Sequence, residues 1–188
     1  MHATELLATR ASNGKLREPA PDGATLRSIL EAALRAPDHG LLRPWRLLLV
    51  RGAAREALGG VLREALRRRR PGASPEELDR EQRKPLRAPL LVVVVARPRA
   101  DPKVPELEQL ISAGTVAHGV VLGAQAHGFS ALWRTGPAAY DPHVQRPLGL
   151  DPGEQIAAFV YVGTAALPPP PIERPRYDSC VREWTGPA

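Results

Sequence analysis

Between Asp22 and Arg35 the apolar residues Leu26, Ile29, Leu30, Ala33 and Leu34 recur at i, i+3, i+4, i+7 and i+8. That spacing predicts an amphipathic helix capped by Asp22 and stopped near Arg35 by Pro37. A short helix over residues 3 to 9 precedes it, and a strand from Trp45 to Val50 follows. Helical periodicity continues over 53 to 69 and 75 to 84. Ser74-Pro75-Glu76-Glu77 opens the second of these with an N-cap serine, an N1 proline and a capping-box glutamate. Leu90 to Val95 is apolar on both faces and β-branched, the pattern of a central strand covered on each side. Pro105 to Ala126 reads as a long helix ended by Gly128 as a left-handed cap. Its small residues, among them Ala113, Gly114, Ala117, Gly119 and Gly123, predict burial and close crossing by other helices, as at a subunit interface. Phe129 to Arg134 alternates as a strand, Asp141-Pro142 starts a short helix ending near Gly149, and Ile156 to Val162 is a second buried strand. The α/β order is too irregular for repeated βαβ units.

With 188 residues the chain is expected to fold as one domain, residues 1–188, with a substantial core. It opens without a leader pattern, and its apolar runs are too short to span a bilayer, so a cytoplasmic protein with no membrane partner is expected. The lone Cys180 agrees with a reducing compartment. Net charge is +6, and Arg63 with Arg67-Arg68-Arg69-Arg70 forms a local cationic block. That block ends a predicted helix and has almost no aromatic neighbour for base stacking. It therefore reads as a solvated helix end, and no nucleic-acid partner is expected. After Gly163-Thr164 comes a proline-rich tail, 165–188, carrying Tyr177 and Trp184. Such a tail is either a strap over a partner subunit or a loosely held terminus.

Nucleophile elbows, phosphate loops, dinucleotide fingerprints and zinc-helix motifs are all missing. His2, His39, His118, His127 and His143 are scattered rather than set at ligand spacing, so no metal site is expected. His118 and His127 read as core or interface residues. What remains is a set of cations and hydroxyls at element ends. Arg10 and Ser12 follow the first helix and can hold a phosphate together. Arg35 and His39 flank Asp38 at the helix stop, where Gly40 lets the chain bend. Trp133-Arg134-Thr135-Gly136 places an aromatic, a cation, a hydroxyl and a glycine where a strand ends, and ligand crevices open at such ends.

Arg10-x-Ser12, Ala36-Pro37-Asp38-His39 with Pro44-Trp45, Trp133-Arg134-Thr135-Gly136 and Val162-Gly163-Thr164 together resemble the nitroreductase family, especially its short branch, in order and spacing over about residues 3 to 165. The resemblance implies an α+β three-layer α-β-α sandwich with a central, mostly antiparallel sheet, assembled as an intertwined homodimer. It also implies FMN at the subunit interface, NAD(P)H as reductant, and a small electron acceptor such as a nitroaromatic or quinone, reduced by a ping-pong mechanism. Arg10, Ala11 and Ser12 then match phosphate and ribityl contacts. Arg35 and His39 match helix-end positions reaching the flavin of the partner subunit, and Trp133, Arg134 and Thr135 match the wall on the other side. A nicotinamide contact is implied at Gly123, Ala124, Gln125, Ala126, His127 and Gly128. No catalytic side chain is implied, because the flavin N5 carries the chemistry. The chain departs from the family at Ala11, where a second arginine is usual, and at Leu41 and Arg43, where Asn and Gln are common. A flavin-binding carrier, sensor or partner-binding module without significant turnover is the alternative on the same scaffold.

Overall fold

The seven residues Leu90–Ala96 are buried at every position and have no wet face, so they need a strand on each edge and a helical layer on each side. The computed structural model, which describes residues 2–187, supplies both. In chain order the elements are α1 (Ala3–Thr9), β1 (Leu16–Arg17), α2 (Gly23–Ala33), β2 (Trp45–Arg51), α3 (Ala53–Arg69), α4 (Pro75–Gln82) and β3 (Leu90–Ala96). They continue with α5 (Glu106–Ala126), β4 (Ser130–Arg134), α6 (Pro142–Gln145), β5 (Gln155–Ala165) and α7 (Tyr177–Cys180).

The sheet runs β2-β3-β5-β4 with every pairing antiparallel, and β1 joins the far end of β5. Leu90, Val92 and Val94 pack with Ala158, Val160 and Val162 beneath α2 and α5. Leu91, Val93 and Val95 pack with Phe159 and Tyr161 on the other face, beneath α3 and α6. Val94 pairs with Ala158 but Val95 pairs with Ile156. The extra residue, Ala157, is a bulge that turns Ile156 to the opposite face. This is the expected three-layer α+β sandwich, and β5 runs three residues beyond the predicted strand.

Helix α5 meets α2 closely enough that a Cβ on Gly119 would stand 2.8 Å from the Ala33 Cα. The predicted close crossing is therefore present, but only on part of the helix. Leu107, Ile111 and His118 point outward and are exposed, as is His127, so neither histidine lies in the protomer core. The capping box at Ser74 forms as expected, with the Ser74 and Glu77 backbone N–H groups donated reciprocally to the two side chains. The arginine block is balanced by acids. Arg67 and Arg68 share Glu64, whose carboxyl their hydrogen bonds hold down to about 2, while Arg69 meets Asp141, Arg70 meets Glu77 and Arg63 meets Asp79.

α2 stops at Ala33, two residues earlier than the proline alone predicts, with Leu34 as cap. In the turn that follows, Leu41 and Arg43 both take left-handed backbone angles, at φ of 52° and 48°. The Arg43 N–H donates to Asp38 Oδ2 at 2.6 Å and holds the turn in that shape. Left-handed backbone costs an L-residue about 1–2 kcal/mol, against a smaller entropic cost for glycine. Leu41 is 78% exposed and loses little packing when removed. Leu41→Gly is therefore expected to stabilise the fold by about 0.5–1 kcal/mol, read as a higher melting temperature; an unchanged or lower value would mean the side chain is held by something else.

Beyond β5 the tail is tied to the N-terminal segment. Asn13 donates its side-chain amide to the Leu167 carbonyl at 2.8 Å, and Arg174 donates to the Arg10 carbonyl at 2.7 Å. Trp184 and Tyr177 stay 82% and 74% exposed. Among the described residues no helix is long and apolar enough to cross a membrane.

Candidate functional site

β4 ends at Arg134, and the chain turns away through Gly136 at a φ of 85°. Because alternate strand residues face opposite sides, Leu132 joins the α3-side core while Trp133 reaches the other side, where its ring tip approaches Gly114 of α5. A cavity of about 580 Å³ opens where Trp133 to Ala138 leave the sheet. Leu58, Leu62, Leu91 and Phe159 give it an apolar wall, and Lys84, Arg134, Thr135 and Tyr161 give it a polar one. Burial pushes the Tyr161 hydroxyl above its ordinary pKa, so it stands in this wall as a neutral donor.

The segment after α1 runs along the same edge. The Asn13 N–H donates to the Ala131 carbonyl at 3.0 Å, which ties the end of the Arg10–Asn13 segment to β4. All three are half-buried. The Arg10 guanidinium reaches the Ser12 hydroxyl at 3.5 Å and meets no carboxylate among the described residues. A guanidinium without a counter-ion beside a free hydroxyl is a ready anion site.

Trp133, Arg134 and Thr135 line the cavity, and the Arg10–Ser12 segment is tied through Asn13 to Ala131 of the same strand; Arg35 and His39 lie elsewhere. Gly114, which meets Trp133, and Gly119 and Gly123, which meet α2, lie roughly 140–180° apart around α5. Arg35 and His39 leave from the α2 side and are exposed, and His39 Nδ1 lies 2.6 Å from Glu108 Oε2. The Gly123–Gly128 segment divides. Gly123 packs on Ile29 and Ala124 is buried in the core, whereas Ala126, His127 and Gly128 are exposed. Gln125 bonds Thr9, and His127 Nε2 lies 3.2 Å from Ser28 Oγ.

Lys84 escaped the reading of the sequence. It sits in the short turn Lys84–Arg87 after α4, and its Nζ lies 2.5 Å from Glu81 Oε2. A usable signal existed, since it is one of only three lysines in an arginine-rich chain and lies in the short connection that leads into the apolar strand at Leu90.

The donors here are cations and hydroxyls around an apolar slot, the chemistry that suits a flat aromatic ring carrying an anionic tail. A model of the nitroreductase family matches residues 7–164. The Escherichia coli (strain K12) protein YdjA, provisionally named an NAD(P)H nitroreductase, is 38% identical over 167 residues, covering 89% of this chain and 90% of its own. A Haemophilus influenzae protein with the same provisional name is 37% identical over 167 residues, covering 87% of this chain and 89% of its own. Among solved structures, a nitroreductase-like protein from Bacillus cereus superposes with a TM-score of 0.83 at 20% identity, over 99% of this chain and 97% of its own. A nitroreductase with bound FMN from Bacteroides fragilis superposes at 0.74 and 18% identity, over 98% and 99%. These two establish the fold. The chain belongs to the nitroreductase family and is an oxidoreductase.

Proposed function

We propose that this protein binds FMN, takes reducing equivalents from NAD(P)H, and passes them by a ping-pong cycle to a nitroaromatic, quinone or similar small acceptor. The observation that carries the reading is the cavity at the end of β4, where an apolar wall meets Lys84, Arg134 and Thr135, with the Arg10–Ser12 pair on the segment that Asn13 ties to the same strand. When bound, FMN supplies the two-electron chemistry, and each residue has a holding or excluding task. Arg10 and Ser12 take the phosphate, with the Ala11 backbone between them. Trp133, Arg134 and Thr135 line the ring, and Lys84 places a positive charge where the reduced ring becomes negative. Leu58, Leu62 and Phe159 keep water from the buried edge.

The assembly that completes the site is a homodimer. The outward row of α5 exposes Leu107 and Ile111, with His118 two turns further on, and apolar side chains so exposed are what a second copy covers. The same packing brings Arg35 and His39 of one protomer toward the cavity of the other and gives the 165–188 tail a partner surface for Trp184. Of the Gly123–Gly128 segment, only its exposed end from Ala126 to Gly128 offers surface to a nicotinamide nucleotide. The chain works in the cytoplasm, where NAD(P)H is supplied.

The test is optical. Purified protein is expected to be yellow or to quench added FMN fluorescence, to bleach on anaerobic addition of NADH or NADPH, and to recover colour when a quinone or nitroaromatic is added. A colourless protein that leaves FMN fluorescence untouched rejects the flavin reading. Bound flavin that keeps its oxidised colour with both nucleotides leaves a flavin carrier without turnover.

A further inference from the structure

Lys84 does not face the cavity with a bare charge. Its ammonium is held at 2.5 Å by the Glu81 carboxylate, three residues earlier where α4 ends. The two side chains differ in surroundings: that of Glu81 is 10% exposed, that of Lys84 is 34%. The acid is thus the buried member, and of the two only the lysine lines the open space. Leu58 and Leu62 of α3 wall the same space, and α4 presses on α3 so closely that a Cβ at Gly59 would collide with the Gln82 carbonyl at 2.3 Å. The end of α4 therefore has little freedom to swing, and the pair is fixed where it stands.

We infer that Glu81 acts on the bound flavin through Lys84, partly cancelling its charge and thereby setting the reduction potential lower than Lys84 alone would. This inference rests on the FMN reading above. The physical ground is simple: a positive charge near the ring stabilises the two-electron-reduced, anionic flavin over the neutral oxidised one, and a carboxylate beside that charge withdraws part of the stabilisation. By linkage, the potential and the ratio of affinities for reduced and oxidised FMN move together, with about 30 mV for each tenfold change in the ratio.

The experiment is spectroelectrochemical titration of FMN-loaded wild-type protein, Glu81→Gln, Glu81→Asp and Lys84→Met, with oxidised-FMN affinity measured by fluorescence quenching. Glu81→Gln is expected to raise the midpoint potential, Lys84→Met to lower it, and Glu81→Asp, which keeps the charge, to stay nearer wild type. A pair that only secures the end of α4 would change thermal stability and leave the potential where it was, which overturns the inference. If Glu81→Gln does not fold, Lys84→Met decides alone, and an unmoved potential there has the same meaning. Wild-type protein that binds no FMN instead overturns the flavin reading itself.

Discussion

Replacing Arg10 by alanine is expected to weaken FMN binding by about 1.5–3 kcal/mol, the range for a hydrogen bond that involves a charged group, or roughly ten- to 150-fold in Kd. The full effect is expected because nothing else in the described structure competes for this guanidinium: its one contact is a 3.5 Å approach to Ser12, and it has no carboxylate partner. Position 11 is alanine, so its chain neighbour supplies no second cation, and the Arg174 guanidinium nearby is engaged by the Arg10 carbonyl. Fluorescence quenching with FMN and with riboflavin separates the cause. Riboflavin lacks the phosphate, so Arg10→Ala and wild type should bind it equally. Undiminished FMN affinity in the variant removes Arg10 from the site, and an equal loss for both ligands means the variant has disturbed the segment Arg10–Asn13 rather than a phosphate contact.

The second large effect lies away from the cavity, at the start of β5. Glu154 has a side chain only 5% exposed. Its carboxylate accepts from Arg46 Nε at 3.0 Å and Nη2 at 2.6 Å, meets Arg97 Nε at 2.7 Å, and accepts the Asp151 N–H at 3.0 Å. Removing Glu154 leaves Arg46 and Arg97, whose side chains are 25% and 52% exposed, to be solvated by water, so the loss is about 1.5–3 kcal/mol, that of hydrogen bonding to a charged group. Glu154→Ala is thus expected to lower the melting temperature by roughly 3–12 °C for a domain of this size. The hydrogen bond from Arg46 is the leading cause that holds the Glu154 carboxyl below its ordinary range. The folded value is therefore the lower one, and its contribution is complete above the ordinary glutamate pKa and fades as pH falls from there toward the depressed folded value. Melting curves taken down through that window should converge for wild type and Glu154→Ala; a gap that stays constant would show that packing, not charge, sets the difference.

The elements with strong periodicity were legible from sequence to within a few residues. Leu90–Val95 announced a covered central strand because no residue in it tolerates water, and Ser74-Pro75-Glu76-Glu77 announced its helix because the cap is purely local. Two-residue β1 was not legible, since Leu16–Arg17 becomes a strand only when β5 arrives from far along the chain. The same holds for the three added residues of β5. Of the candidate site, Arg10, Ser12 and the Trp133 segment stand out in the sequence through their order and spacing. Lys84 does not, because its meaning depends on a cavity formed by α3, β4 and β5 together. Leu41 and Arg43 stood out as departures from the family, but only the fold shows that both adopt left-handed backbone.

The central strand also imposes an order of events on the growing chain. β3 pairs on one edge with β2, some forty residues earlier, but its other edge belongs to β5, which follows some sixty residues later. Until β5 has been made, Leu-Leu-Val-Val-Val-Val presents an unpaired apolar edge, the kind of segment that recruits another chain. Completion of this fold therefore waits for its last long strand, and a nascent chain halted before residue 155 carries its most aggregation-prone sequence uncovered.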